Sequence, residues 1–178
     1  MMEEPKKKLI IQGEYEDVLE IDGHYYLQDK KDRIAVIPYT IDTKSLVDKI
    51  GVVIDWNYIE EEEVLTLLND YASSDDSTDL VAANRILFET TKINIKDAKK
   101  WMYLGAVYSN LTSDSPIKLY GVDISDLKIQ EETEESVEKK KFKLMDASSV
   151  IRTDEILFLA AYFRLFNWHY INSIRKNK

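Results

Sequence analysis

The alternation of apolar and polar positions divides the chain into a β-rich first third, a middle of helical period, and a second β region closed by a helix. Val18 to Ile21 predicts a short strand, Asp22-Gly23 a turn that tolerates positive φ, and His24 to Gln28 the return strand. After the polar turn Asp29 to Asp32, Arg33 to Ile41 is rich in branched residues and predicts a buried strand. Pro38 lacks an amide donor and is expected at an edge or a bulge. Ile50 to Trp56 predicts a fourth strand, and the hairpin-scale spacing favours a mixed or antiparallel sheet.

The period then changes. Glu60 to Glu63 stands before Val64-Leu65-Thr66-Leu67-Leu68, which predicts a helix with its acids at the positive end of the dipole. Ala72 to Thr78 predicts a polar loop, with Ser77, Thr78 or Asp79 capping the next helix. In that helix Leu80, Ala83 and Leu87 fall at i, i+3 and i+7, one apolar stripe. Tyr103 to Tyr108 and Ile117 to Ile124 predict strands, Gln130 to Lys141 a charged loop or hairpin tip, and Phe142 to Met145 a short strand. Thr153-Asp154-Glu155 opens a last helix, whose apolar face includes Ile156, Leu157, Phe163 and Phe166. Periodicity alone gives an α/β or α+β fold, read as one domain over 1–178 with flexible tails at 1–14 and 175–178.

Composition narrows the functional classes. The chain has 178 residues, 44% of them apolar, enough for one well-cored domain. A net charge of −9 disfavours non-specific nucleic-acid binding. With no cysteine, disulfides, thiolate catalysis and cysteine-ligated zinc are excluded, and the two histidines, His24 and His169, are far apart in sequence. No run reaches membrane-spanning length and no signal-peptide core follows the charged amino terminus, so a cytoplasmic protein is expected. Richness in Lys, Ile, Asp, Asn and Tyr points to an AT-rich genome, viral or bacterial; a viral protein would reside in host cytoplasm or virion. Asn110-Leu111-Thr112 fits a glycosylation pattern and is discounted for want of a secretory context.

One stretch carries a more specific signal. Ala82-Ala83-Asn84-Arg85-Ile86-Leu87-Phe88-Glu89-Thr90-Thr91-Lys92-Ile93 resembles the helical half of a Nudix box, R-E-U-x-E-E-x-G-U with U aliphatic. Arg85, Leu87, Glu89 and Ile93 stand in register. Ile86 and Thr90 replace two of the family's glutamates, and Lys92 replaces its glycine. In the loop half, the register puts Tyr71 at the family's glycine and Ser77 at its glutamate. Downstream, Trp101 to Tyr108 looks like the strand after the Nudix helix, and Ile117 to Asp123 like its hairpin partner, so the likeness covers Arg33 to Asn167. The resemblance implies an α/β/α sandwich around a mixed sheet, and metal-dependent hydrolysis of nucleoside diphosphate derivatives as the ancestral activity.

The residues argue against that activity. In the family the helix glutamates hold divalent metals, and here Glu89 is the one surviving candidate ligand. Magnesium in phosphate-processing sites is anchored by one or two carboxylates plus substrate oxygens, and two-metal catalysis needs more. Ile86 can be neither base nor ligand and suits a dry contact, although restoring glutamates at 86 and 90 should raise metal affinity if the register holds. Asp75, Asp76 and Asp79 before the helix read as caps, and Glu131, Glu132, Glu134 and Glu135 as a solvated run. Arg85, without an acid at 77, is expected to pair with Asp75, Asp79 or Glu89, or to face solvent. Trp56, Tyr58, Trp101, Tyr103 and Tyr108 could line a base-stacking pocket and are read as core.

Phe163, Phe166, Trp168 and Tyr170, with Tyr162, wrap too much of the last helix for one buried face, and part of that surface is expected to meet a protein partner or a second copy. The leading reading is a Nudix-like domain with a degenerate metal site, a non-catalytic binding or structural module needing no cofactor. The alternatives are a hydrolase using magnesium or manganese with an unconventional acid set, and a nucleotide sensor.

Overall fold

The computed structural model describes residues 7–42, 46–57, 61–108, 115–127, 141–150 and 155–176. Strands β1 (Lys7–Gln12), β2 (Glu16–Ile21) and β3 (His24–Asp29) form a separate antiparallel sheet. Asp22 and Gly23, at φ 52° and 81°, close the β2–β3 hairpin, with Ile21 opposite His24. Such a turn matches the strands' own twist, which the Asp-Gly pair makes accessible. Residues 7–12, expected within a flexible tail, instead form β1, because their backbone finds a ladder along β2 from Lys7↔Ile21 to Gln12↔Asp17.

The second sheet runs β10 (Lys141–Asp146), β5 (Val47–Asn57), β4 (Arg33–Ile41), β9 (Ile117–Asp123), β8 (Trp101–Val107). β4 and β9 are parallel and the remaining pairs antiparallel, so the sheet is mixed. β4 alternates with both faces covered: Ile34 and Val36 point to one cluster, Ala35, Ile37 and Tyr39 to the other.

Residues 64–68 are not helical. They belong to β6 (Glu62–Thr66) and β7 (Leu68–Tyr71), joined at the buried Leu67. β5 meets β4 only at Tyr39↔Ile50 and Ile41↔Val47, after which the two splay apart. β6 fills the opening along β5 and β7 along β4. Without that wedge two long strands would bury unpaired amides and carbonyls, a cost that outweighs a local helical preference. Pro38 sits within central β4, not at an edge, at the step between the β7-paired residues 33–36 and the β5-paired residues 39–41. A missing donor is tolerated at such a gap.

Helix α1 (Asp79–Thr91) covers one face through Ala82, Ala83, Ile86 and Leu87. Helices α2 (Ala147–Val150) and α3 (Ile156–Lys176) cover the other through Ala147, Val150, Leu157, Phe158, Ala161 and Leu165. The result is the expected α/β/α sandwich. Thr78 caps α1, its side chain accepting from the Val81 amide at 3.2 Å. Glu155 caps α3 by accepting from the Leu157 and Phe158 amides; the proposed cap Thr153 lies outside the described residues. Arg164 of α3 clamps β8 by donating to the carbonyls of Leu104 and Ala106, each at 3.1 Å, across the bulge made by Gly105 at φ 92°. Among the described residues no helix is long and apolar enough to cross a membrane.

Candidate functional site

The loop from Ala72 to Thr78 folds back before α1 begins. Ser73 donates its amide to Asp76 Oδ2 at 2.8 Å, and Asp76 donates its own to the Ser73 carbonyl at 3.1 Å. This turn aims the Asp76 carboxylate at α1, where Arg85 meets it. Arg85 donates from Nε to Asp76 Oδ2 at 3.1 Å and from Nη2 to the same oxygen at 3.0 Å. Its remaining reach goes to the Tyr71 carbonyl (2.8 Å from Nη2), to Glu89 Oε2 (3.0 Å from Nη1) and to Asp70 Oδ2 (3.5 Å). One guanidinium thus gathers three carboxylates and a backbone oxygen, which its planar fork of donors permits and an ammonium would not.

The Asp76 side chain is 5% exposed. Burial opposes its ionisation, but the Arg85 hydrogen bonds, the Ser73 amide and the Arg85 charge outweigh burial and hold the carboxyl below the ordinary range. Arg85 is driven further toward its charged form, first by the bond to Asp76, against burial, and then by Glu89. Beside this group lies a second one. Lys118 of β9 bridges Asp32 at 2.7 Å and Asp79 at 2.9 Å, and Tyr120 stands next to Asp79 with its ring 5.2 Å from that of Tyr103. Tyr71 stacks on Tyr15 at 4.9 Å, which seats the first sheet against the loop.

Several expectations meet their outcome here. Glu89 does pair with Arg85, but Asp75 and Asp79 do not; Asp79 takes Lys118. The carboxylate opposite Arg85 comes from Asp76, one residue before the Ser77 that register indicates, and Asp70 joins from β7. The adjacent aspartates before the cap were the available signal, since a long arginine side chain nearly two turns into the helix can reach back to either. Leu87 is fully buried and Ile93 packs on the same cluster. Ile86 is 3% exposed, a dry contact in the core. Thr90 is half-buried and its hydroxyl donates to the Ile86 carbonyl at 3.2 Å. Lys92, at the family's glycine, keeps a left-handed backbone at φ 62° as the C-cap of α1, its amide donating to the Phe88 carbonyl.

The aromatics divide. Trp101 packs against the α1-side cluster, whereas Trp56, Tyr103 and Tyr108 are exposed rather than core. Tyr58, residues 110–112 and the acids at 131–135 lie outside the described residues. Phe163, Phe166, Trp168 and Tyr170 are all exposed on α3, between 41% and 55%.

A divalent metal fits this donor set poorly. Asp76 is enclosed with its oxygens taken by Arg85 and Ser73, one Glu89 oxygen is occupied, and Ile86 offers none. Among the described residues no three histidine, aspartate or glutamate side chains converge as a metal cage. The two exposed carboxylates, Glu89 at 54% and Asp70 at 51%, share Arg85 Nη1, so each already faces a cation and is a solvated anchor at most.

No protein-family model matches the chain. No curated protein matches it either. Solved structures do. A protein described as an ADP compounds hydrolase superposes with a TM-score of 0.64 at 15% identity, covering 94% of this chain and 95% of that one. The NUDIX domain of Shewanella oneidensis NrtR, solved with ADP ribose, superposes with a TM-score of 0.54 at 16% identity, covering 74% and 84%. At these identities the likeness shows the fold, and the fold is Nudix-like.

Proposed function

We propose that this Nudix-like chain is a non-catalytic binding module for a nucleoside diphosphate derivative, a pseudoenzyme in which the helix that would hold metals has become a structural clamp. One observation carries the reading: Arg85 engages Asp70, Asp76 and Glu89 together, leaving α1 without free converging carboxylates. Two-metal phosphoryl chemistry needs such carboxylates to hold ions close together, and Glu89 and Asp70, both drawn to one guanidinium, do not supply them. The ligand class is suggested by the two structural neighbours, one described as hydrolysing ADP compounds and the other holding ADP ribose.

The test is direct. ADP ribose is incubated with the protein and magnesium or manganese, and in parallel titrated by calorimetry. Saturable heat with no AMP released supports the module. Turnover that Glu89→Gln abolishes would instead establish a hydrolase with an unconventional acid set. The exposed aromatics of α3 complete the proposal as the contact for a protein partner or second copy. Sedimentation of Phe163→Ser/Phe166→Ser beside the parent tests that part: identical, monomeric behaviour with no partner lost removes it.

A further inference from the structure

At the opposite end of β4 from Arg85 lies a cavity of about 560 Å³, within the size range of small-molecule sites. Arg85 reaches the start of β4 through Tyr71, the partner of Arg33, whereas the cavity opens where β4 and β9 end, beside Tyr39, Ile41 and Asp123. The length of β4 puts the two roughly 25 Å apart. The carboxyl ends of parallel strands are where open α/β sheets receive ligands.

The walls are aromatic and fixed. His169, buried under the last turns of α3, stands edge-on to Tyr39 at 5.0 Å and to Trp168 at 4.9 Å. Trp101 is anchored by its indole N–H on the Ile95 carbonyl at 3.1 Å. The charges at the rim are unbalanced. Lys100 is neutralised by Asp126, and the one lining acid, Asp123, held by the Ser125 amide and hydroxyl through Oδ1, keeps a single negative charge against the two remaining cations. That leaves Lys99 and Arg175, neither in an ion pair among the described residues, facing one opening of a chain whose net charge is −9.

The geometry points to a binding site for a small molecule that joins a flat aromatic ring to an anionic group. The ring lies among Trp101, Trp168, Tyr39 and His169, and the anion meets Lys99 and Arg175. Aromatic walls beside a cationic rim select both halves together, since stacking and charge-assisted bonds each add to affinity. The inference gives the proposed module a ligand site apart from α1; it rests on that reading only for the expectation that the ligand is not consumed.

The chain has three tryptophans, so a Trp56→Phe protein emits only from the two that line the cavity. Its emission is titrated with AMP, with benzoate as a ring bearing carboxylate rather than phosphate, and with adenosine and inorganic phosphate as the separated halves. Saturable change with AMP or benzoate is expected, and adenosine and inorganic phosphate should each bind at least about tenfold more weakly than AMP, the scale of one charge-assisted bond. Lys99→Glu/Arg175→Glu should weaken binding at least as much at unchanged Tm. No response to any probe at millimolar concentration, or a response the double variant leaves intact, overturns the site. AMP production from ADP ribose by the parent protein, stopped by the double variant, would keep the site and overturn the non-catalytic reading.

Discussion

Arg85 places two nitrogens on a single oxygen of Asp76, Nε at 3.1 Å and Nη2 at 3.0 Å, joining the loop before α1 to the helix across nine residues. The contact is nearly dry on the aspartate side and largely solvated where the same guanidinium meets Glu89. The two acids therefore differ in what they contribute.

Asp76→Asn should lower stability by about 2–3 kcal/mol, because it leaves a charged donor group facing a neutral, enclosed amide. Glu89→Gln should change it by no more than about 0.5 kcal/mol, the range of an exposed i,i+4 pair. Urea unfolding of the two variants checks the contrast, and equal effects would mean that the clamp is not centred on Asp76.

Asp76 also sets part of the acid limit of the fold. Its folded-state pKa lies below the unfolded value of about 3.9, so its contribution is complete above that pH and drains away as pH falls toward the depressed value. Glu155 acts in the opposite sense: burial raises its pKa despite the Leu157 and Phe158 amides, so ionising it costs stability that returns as pH falls through its folded value. Asp76→Asn should accordingly flatten the loss of stability below about pH 4 while leaving the Glu155 component, measured as urea midpoint against pH.

Replacing Ile86 by glutamate will not restore a metal site. The side chain is 3% exposed within the cluster of Ile34, Val36 and Leu87, so Ile86→Glu buries a carboxylate at a cost of several kcal/mol. Thr90→Glu, at a half-buried position, should be tolerated. Thermal unfolding separates them: a folded Ile86→Glu protein with near-parental Tm and magnesium-dependent stabilisation would show that the helix face is read wrongly.

Lys92 occupies a left-handed C-cap at φ 62°, where a side chain costs more than glycine does. Lys92→Gly should raise stability by about 0.5–1 kcal/mol, less whatever the Lys92 ammonium gains from the Glu89 carbonyl 3.1 Å away. A fall in the urea midpoint would mean that the ammonium contact outweighs the backbone strain.

Several elements were legible from residue order alone because their causes are local. Asp22-Gly23 tolerates a turn most residues resist, Thr78 caps the nearest helix, and Arg33 to Ile41 can extend as one buried strand. The box likeness of Arg85, Leu87 and Ile93 predicted the fold that the solved neighbours share. Asp76 is absent from the partners expected for Arg85, which were Asp75, Asp79 and Glu89, because residue order does not show that the turn closed by Ser73 swings this side chain toward the helix.

The chain's own order determined the Asp22-Gly23 turn and the Thr78 cap, since these follow from backbone sterics within a few residues; periodicity reached an α/β or α+β fold, and the box likeness supplied the sandwich. Tertiary structure decided what depends on distant neighbours. Residues 64–71 became strands because β4 and β5 splay and leave ladder groups to satisfy. Glu89 was tied into a clamp because Asp70 and Asp76 arrive from another strand and a loop to share its arginine. A partner that comes from outside the segment leaves no trace in the segment's own pattern.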